Sequence, residues 1–192
     1  MSTSVSPRPA IVGTLVWLAL ATALGLTGVV GALRFGPQLV ALSLTVAAVL
    51  VSTRVDAVRQ SVDAIPIQVL VGVNAVRFIG ISFLLLAARG ALSPLFAERA
   101  GWGDITTAAI AVVFSFIGVK RIPRRVLLAW NIFGTIDLLV AVGTAMYVVL
   151  RGDVPGMEPL LGLPLLLVPI FAVPVLFATH VALFRRLRTS SQ

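Results

Sequence analysis

PIQVLVGVNAVRFIGISFLLLAA, residues 66–88, decides the fold of this chain. It is long enough to cross a bilayer as a helix, which takes about 20 apolar residues. Its one ionisable side chain, Arg77, stands near its middle. An arginine at the bilayer centre costs roughly 2.5–3.5 kcal/mol even on the lenient insertion scale, so it is expected to face protein and to be paired. The matching run is VLLAWNIFGTIDLLVAVGTAMYVVL, residues 126–150, whose one charged side chain is Asp137. Counted from the ends of the runs that share a side, both residues fall about 11 positions in, or ~16 Å deep at the rise of an α-helix. Equal depth makes Asp137 the expected partner of Arg77.

Composition agrees. The 192 residues are 59% hydrophobic and 11% charged, with mean hydropathy +1.08. A soluble domain is about 25% charged, and a chain this size has too little interior to hide so much apolar surface. The net charge of +8 therefore reads as topology and headgroup contact, and no nucleic-acid partner is expected. The chain has no cysteine, which excludes disulfides, thiolate metal sites and a Cys nucleophile.

Six apolar runs stand out, at 10–33, 36–53, 66–88, 104–119, 126–150 and 159–184. They predict an all-α, six-helix transmembrane bundle in one domain, 1–192. Their continuous apolarity argues against a β-barrel, whose strands alternate. The first run exceeds the 7–15 residues of a signal h-region and is expected to be a retained signal anchor.

Six crossings put both termini on one side. Arg8, Arg54, Arg59, Lys120, Arg121, Arg124, Arg125, Arg185, Arg186 and Arg188 then share that side, and Arg34, Arg89, Arg99 and Arg151 the other. The bias predicts cytoplasmic termini. Residues 54–65 put Val55, Val58, Val62 and Ile65 on one face and predict a short amphipathic helix lying at the interface. Residues 90–103 read as the largest external loop, with Leu95, Phe96 and Trp102 dipping into the interface. The tail after Phe184 reads as short, polar and frayed. Gly25, Gly28 and Gly31 of the first run predict close helix packing within the chain, or else a homodimer contact. Pro159, Pro164, Pro169 and Pro174 predict a bent or opened last span.

The candidate site is the intramembrane polar set. Asn74 lies one turn from Arg77. Trp130, Asn131, Gly134, Asp137 and Ala141 share a stripe of the fifth span. His180, the only histidine, falls near the depth of Asn131. Arg77, Asp137, Asn74, Asn131 and His180 are expected to form one polar track from midplane to cytoplasm. Two readings stay open. The Arg–Asp pair fixes which helices meet, although desolvation makes it a poor source of stability; or it binds a small solute or a proton.

No cofactor or metal is expected: one histidine supports neither a bis-histidine haem nor a His-based metal site. Gly101-Trp102-Gly103-Asp104 matches the GxGD motif of intramembrane aspartyl proteases, whose two aspartates share a proton. Asp104 is expected instead to cap the outer start of the fourth span, half a bilayer from Asp137, and no Pro-Ala-Leu triplet occurs. Lys120, the only lysine, falls in a loop and supports no retinal Schiff base. No esterase elbow, zinc helix or phosphate loop is present, so no enzyme activity is expected.

From Val73 onward the chain resembles an uncharacterised group of small bacterial multispan proteins. The resemblance rests on Ala100-Gly101-Trp102-Gly103-Asp104, on Trp130-Asn131 with Gly134 and Asp137-Leu138, and on Pro169-Ile170-Phe171-Ala172-Val173-Pro174 with His180. It implies a six-helix bacterial inner-membrane protein and no particular mechanism. The leading expectation is a small transporter or permease-like protein, surrounded by lipid. In it Arg77 binds an anionic group or gates Asp137, and Asp137 carries a proton or cation. The alternative is a non-catalytic membrane subunit or scaffold whose Arg–Asp pair is structural, and a lipid-directed membrane enzyme comes third.

Overall fold

The computed structural model describes residues 6–32, 36–152 and 155–189. Among these residues every regular element is helical. A chain in lipid satisfies its own backbone groups by winding, so continuous apolar runs favour this outcome. The helices are α1 (Arg8–Leu26), α2 (Val29–Ala32), α3 (Gly36–Arg54), α4 (Asp56–Asp63) and α5 (Ile67–Gly72). A 3-10 stretch, Val73–Ile79, links α5 to α6 (Gly80–Ala88); α7 (Pro94–Ile117) and α8 (Arg124–Leu150) follow. The chain then passes through a 3-10 stretch at Pro155–Leu161 and a π-helical turn at Val168–Ala172 into α9 (Val173–Thr189).

Five helical stretches are long and apolar enough to cross a membrane: Arg8–Leu26, Ile67–Ala88, Pro94–Ile117, Arg124–Leu150 and Val168–Arg188. Gln38–Arg54 and Asp56–Asp63, bent by 86° at their junction, make a sixth if counted together. The bend turns α4 into the short amphipathic helix expected over 54–65. Val58, Ser61, Val62 and Ile65 turn inward, whereas Val55 sits at the bend and stays exposed.

Three expected boundaries change. The first run does not continue to residue 33: α1 stops at Leu26, and Gly28 takes φ +69 before α2 begins. That left-handed conformation is costly for any residue with a Cβ, so glycine marks the stop. The fourth span does not begin at 104. α7 starts at Pro94, a residue suited to a first helical turn, and most of the expected loop 90–103 is helix. It ends before Gly118 at φ +89. The sixth span is not one helix over 159–184. The prolines divide it, and its helix runs on to Thr189, through what was expected to be a frayed tail. Arg34, expected on the outer side, lies outside the described residues.

The ends of α3, α4, α8 and α9 meet at one end of the bundle. Arg185 bonds the Ser52 carbonyl at 2.9 Å and the Asp63 carboxylate at 2.8 Å, Arg186 bonds the Ile65 carbonyl, and Arg124 bonds the Arg188 carbonyl at 3.3 Å. Lys120 and Arg121 lie in the α7–α8 connection beside them. Pro9 and Ala10 of α1 border the same cleft as Ala57 and Val58 of α4, which puts the start of α1 at this basic end. At the other end the Ser93 amide donates to the Gly156 carbonyl at 2.7 Å. α1 is the least embedded helix, with 6% of its apolar stretch buried against 33–39% for the other four uninterrupted spans.

Candidate functional site

The site grows from the register between the 3-10 stretch and α7. In a 3-10 helix residues three apart eclipse, so Asn74 and Arg77 stand in one column, which continues to Gly80. The antiparallel α7 presents Thr107, Asp104 and Gly101 at the matching levels. At the top of the column the backbones touch: a Cβ on Gly80 would lie 2.6 Å from the Gly101 carbonyl oxygen. Glycine at both positions allows that approach, and it brings the next pair, Arg77 and Asp104, into bonding range. Arg77 Nε donates to Asp104 Oδ1 at 2.6 Å.

α8 completes the set. Arg77 Nη2 pairs with Asp137 Oδ2, and Nη1 donates to the Gly134 carbonyl at 3.1 Å. One guanidinium thus holds two carboxyls, one oxygen of each. Arg77 is 1% exposed, Asp104 6% and Asp137 7%. All three stand near mid-helix. Arg77 is ten residues from Ile67 and eleven from Ala88, Asp104 ten from Pro94, and Asp137 thirteen from either end of α8. Gly103 lies directly against the Asp137 carboxyl, with no room there for a side chain.

Toward the basic end a second polar layer follows. Asn131 Nδ2 donates to the His180 carbonyl at 3.1 Å, and Asn131 Oδ1 lies 2.7 Å from His180 Nδ1. An amide oxygen only accepts, so with the amide in this orientation Nδ1 carries the proton and the Nε2 lone pair of the neutral ring is left free. The ring fits because residue 134 is glycine: a Cβ there would lie 2.7 Å from His180 Cε1 and 3.0 Å from Thr107 Cγ2. Trp130 Nε1 donates to the Thr107 carbonyl at 3.1 Å, and its ring packs against His180. Asn74 spends its amide N–H groups on the Leu70 and Val71 carbonyls. Three buried atoms in this layer have no bonding partner: Asn74 Oδ1, Thr107 Oγ1 and His180 Nε2.

Away from the basic end the surroundings are apolar. Arg77 and Asp104 form the polar floor of a cavity of about 490 Å³, walled by α1, α3, the outer halves of α7 and α8 and the proline-broken stretch before α9. Both departures from α-helix within the spans, Val73–Ile79 and Val168–Ala172, border it. In the second, the Val173 amide reaches back five residues to Val168, while Pro169 and Pro174 have no N–H to give.

The structure therefore brings Arg77 together with Asp137, and Asn131 with His180, and stacks Asn74 one turn below Arg77. It corrects the reading of Asp104. This residue caps no helix; it is a second carboxyl on Arg77, because ten residues of α7 precede it. Asp104 and Asp137 therefore meet on one guanidinium and do not lie half a bilayer apart. The GxGD aspartate and Asp137 still form no proton-sharing dyad, since the Arg77 guanidinium bridges them. Asp104, Gly103 and Thr107 were missed as site residues. The signal for Asp104 and Thr107 is the small and polar stripe Gly101, Asp104, Thr107, Ala108 and Ala111 at helical spacing; Gly103 lies off that stripe and faces α8.

Among the described residues, fold and site together define an all-helical architecture in which five or six helices are long and apolar enough to cross a membrane, around a buried Arg–Asp–Asp cluster. Residues 34–188 match the family described as Domain of unknown function (DUF8737), and the chain belongs to that family. Neither a curated protein nor a solved structure matches it. α1 lies outside the matched region, whereas every residue of the cluster and of the polar layer lies within it.

Proposed function

We propose that this is a small bacterial inner-membrane carrier that crosses the bilayer six times, with both termini cytoplasmic. Its Arg77–Asp104–Asp137 cluster couples a solute site to a proton. One observation carries this reading: the cluster separates two unlike compartments. On one side is an apolar cavity of drug-like size. On the other are Asn74, Thr107 and His180, buried with unused bonding capacity and continuing toward the basic end. Ionisable residues at mid-bilayer commonly mark ion and proton pathways, and broken helices around a midplane site are a recurring feature of carriers. The basic end, with ten Lys and Arg side chains, is then the cytoplasmic face.

The scaffold reading is favoured by one observation, the near-complete burial of Arg77 and Asp137. A carrier must open that seal during its cycle; a scaffold never does. The test is purified protein in vesicles containing a pH-sensitive dye, under an imposed pH gradient. Carrier action predicts solute-dependent proton movement that Asp137→Asn and Asp104→Asn each reduce. If no solute ever moves protons, and variants of the cluster change only the melting temperature, the pair is structural.

A further inference from the structure

We propose that the cavity above Arg77 and Asp104 takes an apolar molecule bearing a single positive charge, exchanged for one proton on the cluster. This rests on the carrier reading above and names its substrate class. The charge count decides the sign. One guanidinium faces two carboxyls, so the ionised cluster holds one net negative charge in a poorly solvated place, where uncompensated charge is expensive. Either a proton on one carboxyl or a monovalent cation beside it restores neutrality.

An anion fits badly. It would be a third negative charge around a guanidinium already bonded to Asp104, Asp137 and the Gly134 carbonyl. The expectation that Arg77 binds an anionic group therefore gives way to a site for cations. Asp104 is the carboxyl that borders the cavity, and only its Oδ1 is bonded to Arg77. On another wall Gln38 Oε1, a buried acceptor without a partner, adds a second oxygen suited to positive charge.

The rest of the lining selects the body of the ligand. Phe83, Phe96, Leu138, Met157 and Phe171 offer no polar side-chain group beyond a thioether. A hydrated inorganic ion would lose its water there without replacement, whereas an apolar body is at home. Thr14 and Leu18 of α1 close one side, so the least embedded helix separates cavity from surroundings and gives a lipid-dissolved molecule a short way in.

The exchange balances. As the cation arrives, the O–H bond of the protonated carboxyl breaks, the electron pair stays on oxygen, and the proton leaves toward the polar layer. The cluster with its ligand is neutral before and after. The titratable groups facing it are Arg77, Asp104, Asp137 and His180; among described residues α1 and α3 bring none to the cavity.

The test compares two probes of matched shape and opposite charge, tetraphenylphosphonium and tetraphenylborate, on the purified full-length chain in lipid nanodiscs. Saturable binding of the phosphonium with proton release into weak buffer is expected, and no saturable binding of the borate. Asp104→Asn should weaken phosphonium binding about tenfold or more, about 1.4 kcal/mol. Ala145→Phe, which fills the cavity without touching the cluster, should abolish it. The wild-type comparison needs no variant, so a misfolded mutant does not stop the test. Borate binding that Ala145→Phe removes would overturn the cation inference and leave the carrier reading standing. Phosphonium binding indifferent to both variants would overturn it as well. No saturable binding of either ion, together with no proton movement in vesicles under any solute, would overturn both readings.

Discussion

Gly103 lies against the carboxyl of Asp137, so closely that a methyl group at position 103 and the carboxyl where it now stands exclude each other. The contact lets α7 and α8 approach and holds Asp137 toward Arg77. Gly103→Ala must therefore move the helix or the carboxylate. Overpacking costs about 1–3 kcal/mol, and loss of a buried charge contact adds to it. Gly143→Ala is the internal control, since Gly143 has open space where its Cβ would stand. Unfolding in detergent should show Gly103→Ala destabilised by about 2–4 kcal/mol and Gly143→Ala within about 1 kcal/mol of wild type. Equal effects would mean that the contact at Gly103 is not tight.

The two-to-one charge count makes a pattern that a simple pair does not. Arg77→Leu leaves two carboxyls uncompensated and should cost about 3–5 kcal/mol. Asp104→Asn or Asp137→Asn alone leaves one carboxyl on the guanidinium and should cost less, about 1–2 kcal/mol. The double substitution strips Arg77 of both carboxylates, leaving only the Gly134 carbonyl, and should exceed the sum of the singles by about 1–3 kcal/mol. A complete mutant cycle by chemical unfolding measures this. Additive singles, or a single as severe as Arg77→Leu, would show that charge balance does not govern the cluster.

The meeting of Arg77 with Asp137 was legible because depth can be counted: two long runs with one charge each leave little freedom. The role of Asp104 was not. Glu98, Arg99, Gly101 and Gly103 lower the local hydropathy, and glycine is a poor helix former in water. Between packed helices the same glycines are assets, since Gly101 meets Gly80 and Gly103 meets Asp137. Hydropathy alone thus starts the span ten residues late and puts a mid-helix carboxyl in the place of a cap. The prolines of the last span announced a break. Where it falls is decided by tertiary contacts invisible in the string: Leu166 and Ile170 bury against Ala21, and Met157 against the cluster containing Phe83 and Phe96.

His180 is the only histidine, so its ring gives a single set of imidazole signals. Asn131 is oriented by its bond to the His180 carbonyl, and its oxygen then requires the Nδ1–H tautomer. Nitrogen-15 spectra of the neutral ring should show Nδ1 protonated and Nε2 bare. Asn131→Leu removes both bonds, should cost about 1–3 kcal/mol, and should let the tautomers mix. A wild-type ring protonated at Nε2 would contradict the assigned amide orientation.

The natural chain has no cysteine, so single cysteines report sidedness without background. Ser6 and Lys120 lie at the basic end with α4, whereas Ala91 and Arg151 lie at the end where Ser93 meets Gly156. All four positions are exposed. With six crossings and a cytoplasmic basic end, a membrane-impermeant maleimide added to intact cells should label Ala91→Cys and Arg151→Cys. It should reach Ser6→Cys and Lys120→Cys only after permeabilisation. The delicate position is Ser6, because the α3–α4 pair turns through 86° and gives the sixth crossing only if the bent pair is counted as one span. Labelling of Ser6→Cys in intact cells, with Lys120→Cys still protected, would reduce the crossings to five. It would make α1, which lies outside the family match, an element inserted from the opposite face.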